Sequence, residues 1–196
     1  MPVKIKGLNK SFGDNHVLRD LDLELADGGI YCLMGPSGMG KTTLLRIMLG
    51  LEKADRGSIE GMEAGGTTAM FQEDRLCLCL TPIENVALVC RKKAQRGEIR
   101  RSLAQILPLS CLDQPALELS GGMKRRVALA RALYEEGQMV ILDEPFTGLD
   151  SATKKEVIGY LLRQRKNRIL LVATHGEEDA ALLGAEILRL DQMQKR

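Results

Sequence analysis

The residues Gly35-Pro36-Ser37-Gly38-Met39-Gly40-Lys41-Thr42-Thr43 follow the apolar run Ile30-Tyr31-Cys32-Leu33-Met34 and lead into Leu44-Leu45-Arg46-Ile47-Met48-Leu49. Glycines at 35, 38 and 40 let the backbone turn where a side chain would clash, so successive amide N–H groups can point inward at one anion. Lys41 adds a full positive charge, and Thr42 offers a hydroxyl to Mg2+. The helix that begins at Thr43 turns the positive end of its dipole toward the same place. Strand, glycine-rich loop and helix in this order predict a triphosphate site built from Gly35, Pro36, Ser37, Gly38, Met39, Gly40, Lys41, Thr42 and Thr43.

Length and charge bound what surrounds that loop. With 196 residues, 44% of them hydrophobic, the chain can bury one sizeable core with a subdomain attached. Its 28 basic residues nearly balance 26 acidic ones, for a net charge of +2. That excludes the global positive field of a general nucleic-acid binder, and no nucleic-acid partner is expected. The N-terminal residues Met1-Pro2-Val3-Lys4-Ile5-Lys6 lack a signal-peptide core. No apolar run approaches the roughly 18 residues of a membrane span, so a cytoplasmic chain is expected. Cys32, Cys77, Cys79, Cys90 and Cys111 form an odd set without a CxxC pair. They read as reduced, small buried residues without chemistry, and Cys77 and Cys79 are too close for ordinary disulfide geometry between alternating strand positions.

Residues 3–8 and Leu21-Asp22-Leu23-Glu24-Leu25 alternate apolar and polar, the pattern of half-buried strands forming an antiparallel edge. The run at 30–34 does not alternate, which suits a sheet covered on both faces. Thr81-Pro82-Ile83-Glu84 predicts a helix start with Thr81 as cap, Pro82 in the first turn and Glu84 closing a capping box. From there to about Leu117 the spacing is helical and strongly basic, with Arg91-Lys92-Lys93, Arg96, Arg100 and Arg101 on a face that is either solvated or turned to a partner or lipid headgroups. Leu119-Ser120-Gly121-Gly122-Met123 opens another helix, running to about Tyr134, with Met123, Val127, Ala130 and Tyr134 on one side and Lys124, Arg125 and Arg131 largely on others. The pattern predicts an α/β core over 1–75 and 135–196 with a mainly helical insertion over 76–134.

The buried strand Gln138-Met139-Val140-Ile141-Leu142 ends in Asp143-Glu144-Pro145, and Arg168-Ile169-Leu170-Leu171-Val172-Ala173-Thr174 ends at His175. In an open α/β sheet ligands bind at the carboxyl ends of the strands, so the loop, the acidic pair and the histidine are expected to converge. Asp143 and Glu144 can divide the work of phosphoryl transfer to water, one organising Mg2+ and the other polarising the attacking water. Both reach the site only if the chain turns sharply at the strand end.

In these motifs the sequence resembles the nucleotide-binding subunit of ABC transporters over nearly its whole length, as a single ABC ATPase domain. Gly35 to Thr42 is similar to the Walker A motif, Gln72 to the Q-loop, Leu119 to Met123 to the signature, Met139 to Glu144 to the Walker B strand with its glutamate, Gly148-Leu149-Asp150 to the D-loop, and His175 to the switch histidine. The signature separates it from simple GTPases and kinases. The resemblance implies a P-loop NTPase (RecA-like) core with a small antiparallel β subdomain and a helical subdomain, ATP and Mg2+ as cofactors, and ATP hydrolysis with Glu144, His175 and Gln72 as catalytic residues. It further implies that Phe12 stacks on adenine, that Thr42, Gln72 and Asp143 serve the metal, and that Asp150 belongs to the nucleotide site. Ser120, Gly121 and Gly122 would contact the γ-phosphate held by a second copy stacked head to tail, so that ATP holds the dimer together. Met123 and Arg125 stand where glutamine is common in the family, and neither change removes a phosphate ligand.

The stretch from Lys41 to Ser120 leaves no room for a long coiled-coil arm, and one motif set argues against the twin-cassette translation factors. Asp143-Glu144-Pro145-Phe146, Phe71-Gln72-Glu73-Asp74-Arg75-Leu76 and Thr81-Pro82-Ile83-Glu84-Asn85-Val86 resemble bacterial importer subunits for nitrate, sulfonate or taurine-like solutes. The implied partners are transmembrane permease subunits, a second copy of the chain and, through the permease, an extracytoplasmic solute-binding protein. The implied location is the inner face of the cell membrane. The alternative is a regulatory or scaffold ATPase that clamps a soluble or membrane-associated partner.

Overall fold

The computed structural model describes residues 1–63, 65–90 and 96–194, and the basic run Arg91-Lys92-Lys93 lies outside them. The chain divides into two compact units, Met1–Ala69 with Gly137–Asp143 and Asn167–Arg196, and Met70–Glu136 with Glu144–Lys166.

The first unit carries two sheets. β1 (Val3–Phe12), β2 (Asn15–Leu25) and β4 (Arg56–Glu60) form a three-stranded antiparallel sheet in the order β2-β1-β4. Its strands extend well beyond the alternating pieces 3–8 and 21–25, because bulges in the β1–β2 pairing keep the hairpin going where strict alternation is lost. Leu21, Leu23 and Leu25 nonetheless point to the core as the alternation predicts. The second sheet has five strands in the order β5-β6-β7-β3-β8, with β3 (Ile30–Met34), β5 (Thr67–Met70), β6 (Met139–Asp143), β7 (Ile169–Ala173) and β8 (Glu186–Arg189). The pairs β6–β7, β7–β3 and β3–β8 are parallel. Every residue of β6 and β7 is buried, which is why these runs are continuously apolar. α1 (Lys41–Met48) follows β3 and buries Leu44, Leu45, Ile47 and Met48 in the same core, while α6 (Glu177–Leu183) and the short α7 (Leu190–Met193) flank β8.

The second unit is helical: α2 (Pro82–Ala87), α3 (Arg96–Leu103), α4 (Gly121–Tyr134) and α5 (Ser151–Gln164). The capping box at α2 is present in full, with Thr81 Oγ1 accepting from the Glu84 N–H at 3.2 Å and Glu84 Oε2 accepting from the Thr81 N–H at 3.0 Å. The expected helical spacing up to Leu117 is interrupted. α3 ends at Leu103, and single 3-10 turns at Leu109–Cys111 and Ala116–Glu118 each follow a proline, which cannot donate a helical hydrogen bond. Cys77 and Cys79 are not in a strand. Leu80 N–H bonds the Cys77 carbonyl across a turn, and both thiols are exposed, so the expectation of buried cysteines holds for Cys32 and Cys111 but not for this pair.

Candidate nucleotide site

Gly40 is the hinge of the phosphate loop. Its φ of 98° is left-handed, and a Cβ there would lie 2.7 Å from Val17 Cγ1 and 2.9 Å from the Val17 carbonyl oxygen. Only glycine suits both demands. As the N-cap of α1, Gly40 brings no side chain to the helix end, and the first-turn amides of Lys41, Thr42 and Thr43 have no carbonyl within the helix to bond. They form a donor cluster of the kind that receives phosphate oxygens. Lys41, only 8% exposed, folds back to donate to the carbonyls of Gly35 at 2.6 Å and Pro36 at 3.1 Å, so its charge is held over the loop. Pro36, Ser37 and Gly38 are exposed, and Met39 and Thr43 are half-buried.

The sheet register sets Asp143 and His175 beside this loop. Leu33 of β3 lies opposite Ala173 of β7, which lies opposite Asp143 of β6, so the three strands end in one row. Thr42 Oγ1 donates to the buried carboxylate of Asp143, 3.2 Å away at Oδ2. A hydroxyl and a carboxylate in contact are the hard oxygen donors with which Mg2+ is held next to phosphates, so these residues fit that ion. His175 is exposed just past β7, on a turn pinned from below: buried Thr174 Oγ1 donates to Asp179 Oδ2 at 2.7 Å and accepts from the Gly176 N–H at 3.2 Å. Asp179 is a site-supporting residue the sequence pattern did not reveal, since it lies on the following helix, and Thr174, the last residue of the expected strand run, gains a role in holding the turn.

Phe12, at the end of β1, is 50% exposed, unlike the core residue Phe146 at 4%. Lys10 Nζ sits 4.9 Å from its ring centroid while bonded to Glu52 at 2.9 Å. An aromatic face held open in this way suits stacking on a base.

In the second unit, Ser120 caps α4 by accepting from the Met123 N–H at 3.3 Å. Gly121 is exposed, and among the described residues a Cβ there would meet no neighbour within 4 Å, so packing does not demand glycine. A Cβ on Gly122 would only touch Leu149 and the Gly148 carbonyl at ordinary distances. Asp150 is engaged as the cap of α5: Oδ1 accepts from the N–H groups of Ala152 and Thr153, both at 3.0 Å, and Oδ2 from Thr153 Oγ1 at 2.6 Å. The Thr153 hydroxyl and these amides hold the Asp150 carboxyl below its usual range. Glu144 follows Asp143 directly and takes a left-handed φ of 50°, the sharp turn that a strand-end acidic pair needs. Gln72 is exposed on the segment after β5.

Arg125 departs most from expectation. It lies off the side that carries Met123, Val127 and Ala130, as expected, yet it is buried at 5% exposure, along the same stripe as Ala128, Leu129 and Ala132. A cation at the i, i+3, i+4, i+7 position of an apolar stripe was the available signal.

A sequence model of the family described as "ABC transporter" matches residues 18–147, more than half of the chain. The chain belongs to the ABC transporter family. The motifs from Walker A to the switch histidine thus resemble the family in which the chain is placed. An aliphatic sulfonates import ATP-binding protein of Rhodococcus jostii is 40% identical over 196 residues, covering 97% of this ABC protein and 72% of the relative. A sulfate/thiosulfate import ATP-binding protein of Chromobacterium violaceum is 38% identical, covering 92% of this chain but 56% of the relative. Among solved structures, a dimeric ATP-binding cassette in a post-hydrolysis state bound to ADP and Pi has a TM-score of 0.82 and 26% identity, covering 95% of this chain and 93% of that one. The fold is that of the ABC cassettes, with both parallel and antiparallel sheets.

Proposed function

We propose that this ABC protein is the ATP-hydrolysing subunit of a bacterial importer, working with a second copy of itself and with transmembrane permease subunits. The reading rests above all on the phosphate loop, where an uncapped helix end, the tethered Lys41 and the Thr42–Asp143 pair gather at one place. The amides of residues 38–43 and Lys41 would hold the phosphates, Phe12 would stack on the adenine, and Thr42 and Asp143 would hold Mg2+, a role in which Gln72 is proposed to share. That ion, when bound, screens the charge that builds on the phosphate oxygens as the bond to the leaving group breaks. Glu144 accepts a hydrogen bond from the attacking water, and His175 donates to the γ-phosphate. Asp150 stays a helix cap and fixes the loop that follows Phe146.

Gly121 supports the dimeric part of this reading. Among the described residues no neighbouring side chain crowds it, which leaves room for something that approaches from outside. A γ-phosphate held by the other copy fits, with Ser120, Gly121 and Gly122 presenting the start of α4 to it. Hydrolysis removes that contact and loosens the pair. The relatives' names favour an oxyanionic sulfur solute, and the solute is delivered to the permease by an extracytoplasmic binding protein. The subunit sits on the inner face of the membrane through the permease. No helix among the described residues is long and apolar enough to cross a membrane itself.

The test is Glu144→Gln. The variant is expected to bind ATP as the parent does, to lose turnover, and to accumulate as an ATP-dependent dimer on size-exclusion chromatography. Hydrolysis at the parent rate would remove Glu144 from its role. Pull-down of this variant from bacterial membranes with ATP should recover a polytopic permease; recovery of a soluble partner alone would favour a clamp or scaffold instead.

A further inference from the structure

The side chain of Arg125 reaches backbone carbonyls far apart in sequence. Its Nη1 donates to the carbonyl oxygens of Phe71 at 3.2 Å and Gln72 at 2.7 Å and to Asp74 Oδ1 at 2.8 Å, while Nη2 donates to the carbonyl oxygen of Glu144 at 2.5 Å. The Arg125 side chain is 7% exposed, so its guanidinium has exchanged water for these acceptors. A planar fork with fixed donor directions can serve two separated carbonyls at once, which a lysine ammonium or a glutamine amide cannot do with the same reach. Arg131, further along α4, donates to the carbonyls of Asp74 at 2.7 Å and Arg75 at 2.7 Å but is not bonded to Glu144. Arg75 closes the same segment by placing its guanidinium 4.0 Å from the Phe71 ring centroid.

The left-handed φ of Glu144 places its carbonyl carbon on the far side of the turn, and a bond to the carbonyl oxygen helps to hold that conformation. A non-glycine residue there carries a conformational cost and persists only when its surroundings hold it. Arg125 supplies a charge-assisted bond to that carbonyl from inside the unit, and the Thr147 N–H adds a long one at 3.4 Å. We propose that Arg125 is a positioning residue, which through the Glu144 carbonyl holds the turn that aims the Glu144 carboxylate at the attacking water. By the same guanidinium it fixes the Gln72 backbone, so the helix capped by Ser120 and the segments bearing Gln72 and Glu144 move as one body. The arrangement is peculiar to an arginine at this position.

The proposal rests on the role given to Glu144 above, so the experiment measures both. Steady-state ATP hydrolysis is compared for the parent, Glu144→Gln, Arg125→Ala, Arg125→Lys and Arg131→Ala, with melting temperature recorded for each. Arg125→Ala should lower kcat by at least about tenfold, since a displacement of about 1 Å at a reacting group costs about 10²-fold, while KM for ATP stays within about twofold. Arg125→Lys should recover part of the loss. Arg131→Ala removes bonds to the same segment without touching Glu144 and should lose less kcat than Arg125→Ala. An unchanged kcat in Arg125→Ala, an equal loss in Arg131→Ala, or a rise in KM at constant kcat would each overturn the proposal. Should Arg125→Ala fail to fold, Arg125→Lys decides it, because parent-level kcat there is equally fatal. A Glu144→Gln protein that hydrolyses ATP at the parent rate marks the failure of the underlying reading instead.

Discussion

Thr42 and Asp143 stand 101 positions apart in sequence, yet the Thr42 hydroxyl donates to the Asp143 carboxylate at 3.2 Å. The contact exists because β3 and β6 are both registered on β7, so the residues leaving their carboxyl ends emerge side by side. Asp143→Asn keeps an acceptor for Thr42 and removes the charge. Mg2+-dependent ATPase should fall by at least about tenfold, with nucleotide binding in EDTA changed little. A magnesium titration of activity that matches the parent would take Asp143 out of the metal site.

Lys41 lies against the loop carbonyls of Gly35 and Pro36, ready to exchange those bonds for phosphate oxygens. Hydrogen bonds to charged groups contribute about 1.5–3 kcal/mol, so Lys41→Ala should weaken ATP binding by about ten- to a hundredfold. Calorimetric titration measures this directly, and an unaltered affinity would refute the phosphate-loop assignment.

The α2 capping box makes stability depend on acid. The Thr81 backbone N–H, and then its hydroxyl, hold the Glu84 carboxyl below the usual glutamate range. A depressed folded value means that the stabilisation is present at neutral pH and is lost as pH falls through it from the unfolded value of about 4.3. Glu84→Gln keeps the reciprocal bonds without the charge, so its urea midpoint should lie below the parent's at neutral pH, and the gap should close in acid. Thr81→Ala removes the other half of the box and should cost about 1 kcal/mol at neutral pH, and less in acid, where the Thr81 hydroxyl no longer donates to a carboxylate.

The thiols should separate by burial. Cys32 is wholly buried in β3, and burial, aided by the Asp179 charge, pushes its thiol up to about 12. Cys111 is buried and also raised. Cys77 and Cys79 are exposed. A thiol reagent at mildly alkaline pH should label Cys77 and Cys79 in the native protein, and Cys32 only after unfolding, as mass spectrometry of timed digests would reveal. Labelling of Cys32 at the rate of Cys79 would mean that β3 opens readily.

Much of the site was legible because its signals are local. A glycine-rich turn between a buried strand and a helix, a capping box, and apolar runs ending in Asp143-Glu144 and His175 each depend on residues within a few positions of one another. The burial of Arg125 was not legible, because what stabilises it is a set of carbonyls at Phe71, Gln72 and Glu144 that no local pattern contains. The break-up of the helical stretch before Leu117 was hidden for a related reason: Pro108 and Pro115 stop helices, but where the chain restarts depends on what it packs against. α5 likewise belongs with the helical unit, where Tyr160 shares a 2.7 Å hydrogen bond with Ser102.

By itself, then, the sequence determined the phosphate loop, the acidic and histidine strand ends, the helix start at Ser120 and the family they resemble, because hydrogen-bonding geometry over a few residues is written in residue type. Tertiary structure decided the strand order that puts Asp143 against Thr42, the pinning of the His175 turn by Asp179, and the burial of Arg125 under Glu144. Those contacts depend on long-range register and on the desolvation of polar groups, and both are settled only when distant segments pack together.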